Sequence, residues 1–424
     1  MTFRPKRREL LVGAGAASLG GLAGCLSDVP GFESEVESAD AVGGTNRTLR
    51  LGIMSPLSGG LANFGETTRD AALLPIEQFE DEVSLDIDYT VVDTETSPSA
   101  GVQSAAELVD DGYPMVNGPL ASDVTLQATQ QVLIPYRVVN CSAGATSPTI
   151  TSVNDAGLVF RTALSDSLQA LVLAEQAVTD LGTERAAVLY VDNDYGWQLT
   201  QAFSQAFETD HGATVTAEVP VIEGADSYDG AIETAMADDP ELLIVIGYPD
   251  TGEQLFDDLA ATGTRDDVEV LVTEGMQDGG LHESTDSSLD GIRGTAPIAS
   301  GPGYDTFSEQ YESAYGESPG LFTAHAYDAT AALLLANAYA GQNEGTAIRN
   351  AMQAVTYSPG TTITPENLDE GLELAAQGEN VAYEGASSSV TFDQHGDVRG
   401  ASFSYWEFDE SAADGITELD RVSA

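Results

Sequence analysis

From residue 48 onward, short apolar runs alternate with longer segments of helical periodicity, a pattern few folds accept. The runs TLRLGIMS (48–55), LDIDYTVVDT (85–94), YPMVNGP (113–119) and YRVVNCSA (136–143) read as strands. The spacing predicts helices between them at about 66–80, 98–111 and 122–133. The rhythm resumes with AAVLYVD, ATVTAEVPV, ELLIVIGY and VEVLVTE (186–192, 213–221, 241–248, 268–274). Helices are expected there at about 165–181, 196–210, 227–238 and 250–262. Near-continuous apolar strands alternating with helices argue for parallel sheets covered on both faces, and two such series argue for two α/β lobes. After GIRGTAPIAS come helical patterns at about 304–315, 322–341 and 345–355. The last stretch, SSVTFDQHGDVRGASFSYWEFD (388–409), reads as a hairpin.

Charge narrows the setting. The 424 residues hold 69 acids and 15 bases, a formal net charge of −54. The one lysine, Lys6, lies near the N-terminus, and the bases after residue 25 are all Arg. Such self-repulsion opposes compaction at low ionic strength. In molar salt the screening length shrinks to about 3 Å, so the composition fits a halophile. Outside residues 4–8 there is no basic patch, which argues against a nucleic-acid partner.

The N-terminus reads as a targeting segment. RPKRR (4–8) precedes ELLVGAGAASLGGLAGC (9–25), which is too short and too rich in Gly and Ala to span a membrane. Arg7-Arg8 followed by Leu10-Leu11 resembles a twin-arginine export signal, and Leu22-Ala23-Gly24-Cys25 resembles a lipobox. Residues 1–24 are therefore expected to be a signal peptide, with Cys25 lipid-modified at the mature N-terminus. Residues 25–47 read as an acidic flexible tether, ending near an N-glycosylation sequon at Asn46. No later segment is apolar enough to span a membrane. The other cysteine, Cys141, ends an apolar strand and reads as core filling.

In doubly wound α/β units, ligands gather just beyond the C-terminal ends of the strands, where helix starts offer free N–H groups. Those positions hold Leu120-Ala121-Ser122-Asp123, Gly144-Ala145-Thr146, Asn193-Asp194-Tyr195-Gly196, Tyr248-Pro249 and Glu274-Gly275. Each has a plain structural reading as well. Ser122, Asp123, Thr146 and Ser147 are common helix caps, tyrosines commonly pack, and Glu274 is one acid among many.

The chain resembles the substrate-binding proteins of branched-chain amino acid ABC transporters, a type I periplasmic binding protein family. The likeness runs from about residue 48 to 410. Its segments are LGIMSPLSGGLANFGETTRDAALLPIEQF, GPLASDVTLQA, NCSAGATSPTIT, FRTALSDSLQA, DNDYGWQLTQAF, IGYPDTGEQLFDDLAATG, VTEGMQDGGL and SPGLFTAHAYDATAAL, in that order. The resemblance implies two doubly wound parallel-sheet lobes joined by a three-strand hinge. Lobe 1 would comprise 48–162 plus 297–385, and lobe 2 would comprise 163–296 plus 386–415. It implies a lipid-anchored receptor on the extracytoplasmic face that closes on an amino acid and delivers it to an ABC permease. A monomer is expected, without cofactor, metal or catalytic residue. Ser122 and Thr146 would offer hydroxyls, and Gly144, Ala145 and Thr146 backbone groups, to the ligand's carboxylate. Tyr195 and Tyr248 would wall the pocket, Glu274 would bind the ammonium, and Phe64 and Phe322 would line the side-chain pocket. Two departures stand out. Asp123 follows Ser122 where the family often has a small residue, and is expected to face solvent or cap the helix. The family's frequent disulfide near the first cleft loop is missing. The alternatives are an amide or urea receptor, or a ligand-sensing subunit of a signalling partner. An enzyme is disfavoured, since neither G-x-S-x-G, a Gly-rich dinucleotide fingerprint nor metal-ligand spacing is present.

Overall fold

The computed structural model describes residues 44–78, 83–263, 265, 268–357, 359–400 and 402–423. The expected signal peptide, Cys25 and all but the last residues of the expected tether lie outside them. Asn46 is exposed, whereas Arg47 reaches the fold and donates to Asn337 Oδ1 at 2.6 Å.

Fourteen strands appear among the described residues, in three sheets. The first sheet holds β1 (Thr48–Ser55), β2 (Asp86–Asp93), β3 (Met115–Asn117), β4 (Val139–Ser142) and β5 (Val159–Arg161). Its order is β2-β1-β3-β4-β5, all parallel. The second sheet holds β6 (Arg185–Val191), β7 (Thr214–Val221), β8 (Leu242–Ile246), β9 (Glu269–Val272) and β10 (Arg293–Pro297) in the parallel order β7-β6-β8-β9-β10. A small pair, β11 (Thr361–Ile363) and β12 (Val381–Tyr383), stands apart. β13 (Ser402–Phe408) and β14 (Ile416–Ser423) extend the second sheet antiparallel from β10. The first five strands of each half thus repeat one winding, with β1 and β6 at the points where strand order reverses. That is where an open α/β sheet leaves a crevice.

The helices are α1 (Ala62–Glu77), α2 (Pro98–Asp110), α3 (Ser122–Ala128), α4 (Pro148–Thr151), α5 (Asp166–Thr179), α6 (Asp194–Thr209), α7 (Asp229–Met236), α8 (Pro249–Thr262), α9 (Leu281–Ser284), α10 (Tyr304–Tyr315), α11 (Thr323–Ala340), α12 (Gly345–Thr356) and α13 (Leu368–Ala376). All the expected helices form. α1 starts four residues early, and α3 runs on as a π-turn over 129–133. α11 is buried from Thr323 to Ala338, and α1, α12 and α13 cover it. Its one acid, Asp328, accepts from Tyr383 Oη (2.7 Å) and the amides of Ala386 (2.8 Å) and Ser387 (2.7 Å). Burial pushes that carboxyl up to about 6, against the pull of these donors.

Three segments cross between the sheets and bond to one another. Arg161 N donates to Gly396 O, Ser300 N to Ser387 O, and Ile298 N to Ser402 O. The expected hairpin over 388–409 is not the one observed. Its first half contributes only two isolated bridges, Phe392 to Val398 and Asp397 to Arg161 of β5, and the hairpin proper is β13–β14. The apolar side chains of 388–398 are buried by packing, with the Phe392 ring edge-on to Phe160 at 5.1 Å. Within 386–398, Phe392 packs on Phe160 and Asp397 bridges to Arg161, both of β5. The second sheet continues to Ser423, beyond the expected end at 415.

The Arg161 guanidinium, fully buried, fixes this junction. Nε pairs with Asp397 Oδ1 at 2.6 Å, and Nη1 donates to the carbonyls of Ala145, Thr146 and Ser147 at 3.0, 2.9 and 3.0 Å. Nη2 donates to Thr151 Oγ1 at 2.8 Å. Arg161→Met leaves Asp397 and three carbonyls without their donor, so a loss of about 3–5 kcal/mol is expected. The check is the urea midpoint in fixed molar KCl, and an unchanged midpoint and slope would refute the assignment.

Candidate functional site

The strand ends of both sheets meet across one cleft. Its walls are Leu61, Phe64, Leu120, Ala121, Ser122, Gly144 and Thr146 from the first half, Tyr195, Tyr248, Glu274 and Gly275 from the second, and Phe322 from the start of α11. The space between these atoms is about 340 Å³, and only about 20 Å³ is open to the centre of a water molecule. The open part is far below the roughly 300–1,000 Å³ of ligand pockets, so the walls leave room for little more than a water molecule. Glu274 is the only charged residue on the wall.

On the first half, two loops bond to each other. Ser122 Oγ accepts from Ser147 N at 3.2 Å, and Ser142 Oγ donates to Pro119 O at 2.5 Å while accepting from Ala145 N at 3.0 Å. At Gly144 an added Cβ would sit 2.6 Å from Leu120 Cδ1, so any larger residue would have to displace the Leu120 side chain. The amides of Ser122 and Thr146 donate to no group among the described residues. The wall here therefore offers hydroxyls and free N–H groups.

On the second half, Tyr195 and Tyr248 stack with centroids 5.7 Å apart at 12°. Tyr195 Oη bonds Thr273 Oγ1 at 2.8 Å, and Tyr248 Oη accepts from Asn193 Nδ2 at 3.0 Å. Glu274 is held by Gln169 of α5, whose Nε2 donates to its Oε2 at 2.6 Å and to Thr295 O at 3.0 Å. Burial pushes Glu274 up to about 7, while Tyr195 and Gln169 pull it down. Behind it lies Asp166, fully buried, with neither carboxylate oxygen hydrogen-bonded. Burial, then the neighbouring Glu274 charge, drives its carboxyl well above the ordinary range. The Thr146 hydroxyl and then the Arg161 charge oppose that shift.

Eight of the nine residues expected at the binding site share this wall: Phe64, Ser122, Gly144, Thr146, Tyr195, Tyr248, Glu274 and Phe322. Ala145 does not. It is fully buried, Ser142 takes its N–H and Arg161 takes its carbonyl. Asp123, expected to face solvent or cap the helix, is half-buried in the first turn of α3. It accepts from the Val124 amide at 2.9 Å, and burial raises it to about 6 beside Asp194. Its charge also reaches Tyr248 and Glu223 of the other half. The capping reading fits Ser147, which accepts from Thr149 N, and not Ser122. Leu61, Leu120, Ala121 and Gly275 complete the wall and went unassigned; all but Leu61 lie at the strand ends already singled out. Asp166 and Gln169 also went unassigned, because their signal is only a helix start after a crossing. Cys141 is a free, fully buried thiol, in keeping with core filling. Among the described residues no acid, histidine or cysteine group could hold a metal ion, and no helix is long and apolar enough to cross a membrane.

The halves also touch directly. Asp194, at the start of α6, accepts from Ser147 Oγ (2.5 Å) and Thr149 Oγ1 (3.0 Å), and Asn63 Nδ2 donates to Asp278 Oδ2 at 2.5 Å. The two walls therefore stand nearly closed on each other.

The comparisons fit this geometry. The profile of the Periplasmic binding protein family matches residues 48–369. A relative is the chemotactic signal transduction system substrate-binding protein BasB of Halobacterium salinarum, 28% identical over 312 residues, 72% of each chain. The leucine-, isoleucine-, valine-, threonine- and alanine-binding protein of Pseudomonas aeruginosa is 28% identical over 204 residues, 47% of this chain and 51% of that one. Among solved structures, the leucine-binding protein LivK of Thermotoga maritima superposes with a TM-score of 0.74 at 20% identity, covering 88% of this chain and 98% of that one. The fold is accordingly that of the two-lobed type I binding proteins.

Burial raises several carboxyls: Asp123 and Asp328 to about 6, Glu223 and Glu274 to about 7. In the unfolded chain they titrate near 3.8 for Asp and 4.5 for Glu. Between about pH 4 and 7 the folded chain thus holds more protons, and its stability falls as pH rises. Asp93, held below its ordinary value by backbone donors and Ser58 despite its burial, acts oppositely only at lower pH. The urea midpoint in fixed molar KCl is expected to be higher at pH 5 than at pH 7.5. A midpoint that falls toward pH 5 would contradict this electrostatic picture.

Proposed function

The chain belongs to the periplasmic binding protein family, and from that premise we propose that it is an extracytoplasmic receptor for a free amino acid with a small apolar side chain. The observation that carries the proposal is the division of the cleft wall. Free amides and hydroxyls of Ser122 and Thr146 stand on one side, and the buried Glu274 on the other. A carboxylate suits the first and an ammonium the second, because either charge left unpaired on leaving water is costly. Leu61, Phe64, Leu120 and Phe322 leave an apolar lining for the side chain. The Pseudomonas relative, whose name gives leucine, isoleucine and valine as ligands, favours the same class.

In this reading the chain works as a monomer, tethered by lipid on Cys25 after twin-arginine export, and presents its ligand to an ABC permease. Cys25→Ser is expected to move the protein from the membrane to the medium. Continued membrane fractionation would refute the anchor. A second reading replaces the permease by a signalling partner, and the likeness to BasB, named for chemotaxis, favours weighing it. Deleting the gene separates the two: loss of amino-acid uptake with intact chemotaxis supports transport, and the reverse supports signalling.

Leucine, isoleucine or valine is expected to raise the melting temperature in molar KCl. Stabilisation only by uncharged amides would sink the amino-acid assignment. Glu274→Gln keeps an acceptor for Gln169 and removes the charge, and is expected to cost about 2–5 kcal/mol of binding. Calorimetry showing unchanged affinity would take Glu274 out of the site.

A further inference from the structure

We infer that Phe322 is a partition between two chambers of one binding cleft, and that its ring sets the upper size of the ligand side chain. This rests on the amino-acid reading above and deepens it. Beyond the small cleft lies a second chamber, of about 990 Å³ between atoms, with about 410 Å³ open to the centre of a water molecule. It is bounded by Tyr304 and Asp305 of α10, the first turn of α11, Gln277 after β9, the crossing at 297–301 and Arg421 of β14. Among the described residues, Phe322 is the only side chain on the walls of both chambers.

The local structure holds the ring there. Phe322 precedes α11 with φ +62°, a left-handed conformation that bulky residues seldom take. Its carbonyl accepts the first bond of the helix, from Ala326 N at 2.9 Å. Its ring meets His325 edge-on, with centroids 5.7 Å apart at 75°. A strained backbone that persists is over-determined by its surroundings. The residue is only 7% exposed although chambers lie on both sides of it.

The two chambers differ in chemistry. The inner one is lined largely by Leu, Phe, Ala, Gly and Tyr. The outer one has Arg421, Gln277, Asp305 and His325, whose Nδ1 lacks a hydrogen-bond partner although the residue is 97% buried by its 3% exposure. With the ring in place, the inner chamber takes a short apolar side chain. With the ring turned or removed, a longer or aromatic side chain would run on, and the outer chamber would meet a polar tip such as an indole N–H or a phenol.

The test compares the full chain with Phe322→Ala in molar KCl, by calorimetry with leucine, phenylalanine and tryptophan. The variant is expected to raise the ratio of tryptophan to leucine affinity at least tenfold. A parallel loss for all three ligands overturns the partition. Indole alone, larger than the phenyl ring removed, should raise the melting temperature of the variant and not of the parent; equal responses overturn the partition. If no amino acid affects either protein, the amino-acid reading fails, and the indole comparison decides the partition by itself.

Discussion

One buried cation organises the cleft. Arg161 ends β5, at the first crossing, with its side chain wholly out of water. Such a guanidinium persists only when its charge is paired and its donors are used. Asp397 supplies the charge from the third crossing, and the carbonyls of Ala145, Thr146 and Ser147 take one nitrogen between them. Those three residues form the turn after β4 that faces the ligand space. Pulling their carbonyls toward Arg161 leaves the Thr146 amide without a partner on the opposite side. The interaction that joins the crossings therefore also shapes a wall of the site, and a distortion of the hinge is felt at Thr146.

The second constraint is charge. Asp123, Asp166, Asp194, Glu223, Asp250 and Glu274 gather around a cleft whose wall holds no basic side chain. At low ionic strength this field would push the halves apart. At molar salt only contacts within a few ångströms survive screening, and those are what hold the halves together: Ser147 and Thr149 on Asp194, and Asn63 on Asp278. The same screening strips out long-range steering, so discrimination falls to desolvated groups such as Glu274 and its Gln169 partner. A neutral hydrogen-bond donor on a buried carboxylate fixes its position without cancelling its charge. That leaves the charge available to a cation.

The sequence reading reached far into this site because strand ends obey a rule. Two windings of order 2-1-3-4-5 put Ser122, Gly144, Thr146, Tyr195, Tyr248 and Glu274 at equivalent edges, whatever packs behind them. It stopped where position depends on contacts remote in sequence. Ala145 looks like its neighbours, yet Arg161, 16 residues on, takes its carbonyl. Asp166 is 108 residues from Glu274, and nothing local says they meet. The alternation in SSVTF reads as strand, but its burial comes from Phe160 rather than from a sheet neighbour, so the expected hairpin forms further on, at β13–β14. Asp123 resembles an ordinary first-turn acid, and nothing local says that it is half-buried beside Asp194 and Tyr248 of the other half.

The cleft and the hinge are thus one mechanical unit. α5 begins at Asp166, directly after the first crossing, and carries Gln169 one turn later to Glu274. The Asp166 amide bonds Thr146 O, the same carbonyl that Arg161 engages. A single peptide oxygen therefore joins the turn after β4, the buried cation and the helix whose Gln169 positions Glu274. A ligand that bridges Thr146 and Glu274 would close a ring of contacts through that oxygen, and opening the lobes would have to break it. A ligand shifts such an equilibrium only by binding the closed arrangement more tightly than the open one, and contacts to both Thr146 and Glu274 exist only when the two walls face each other.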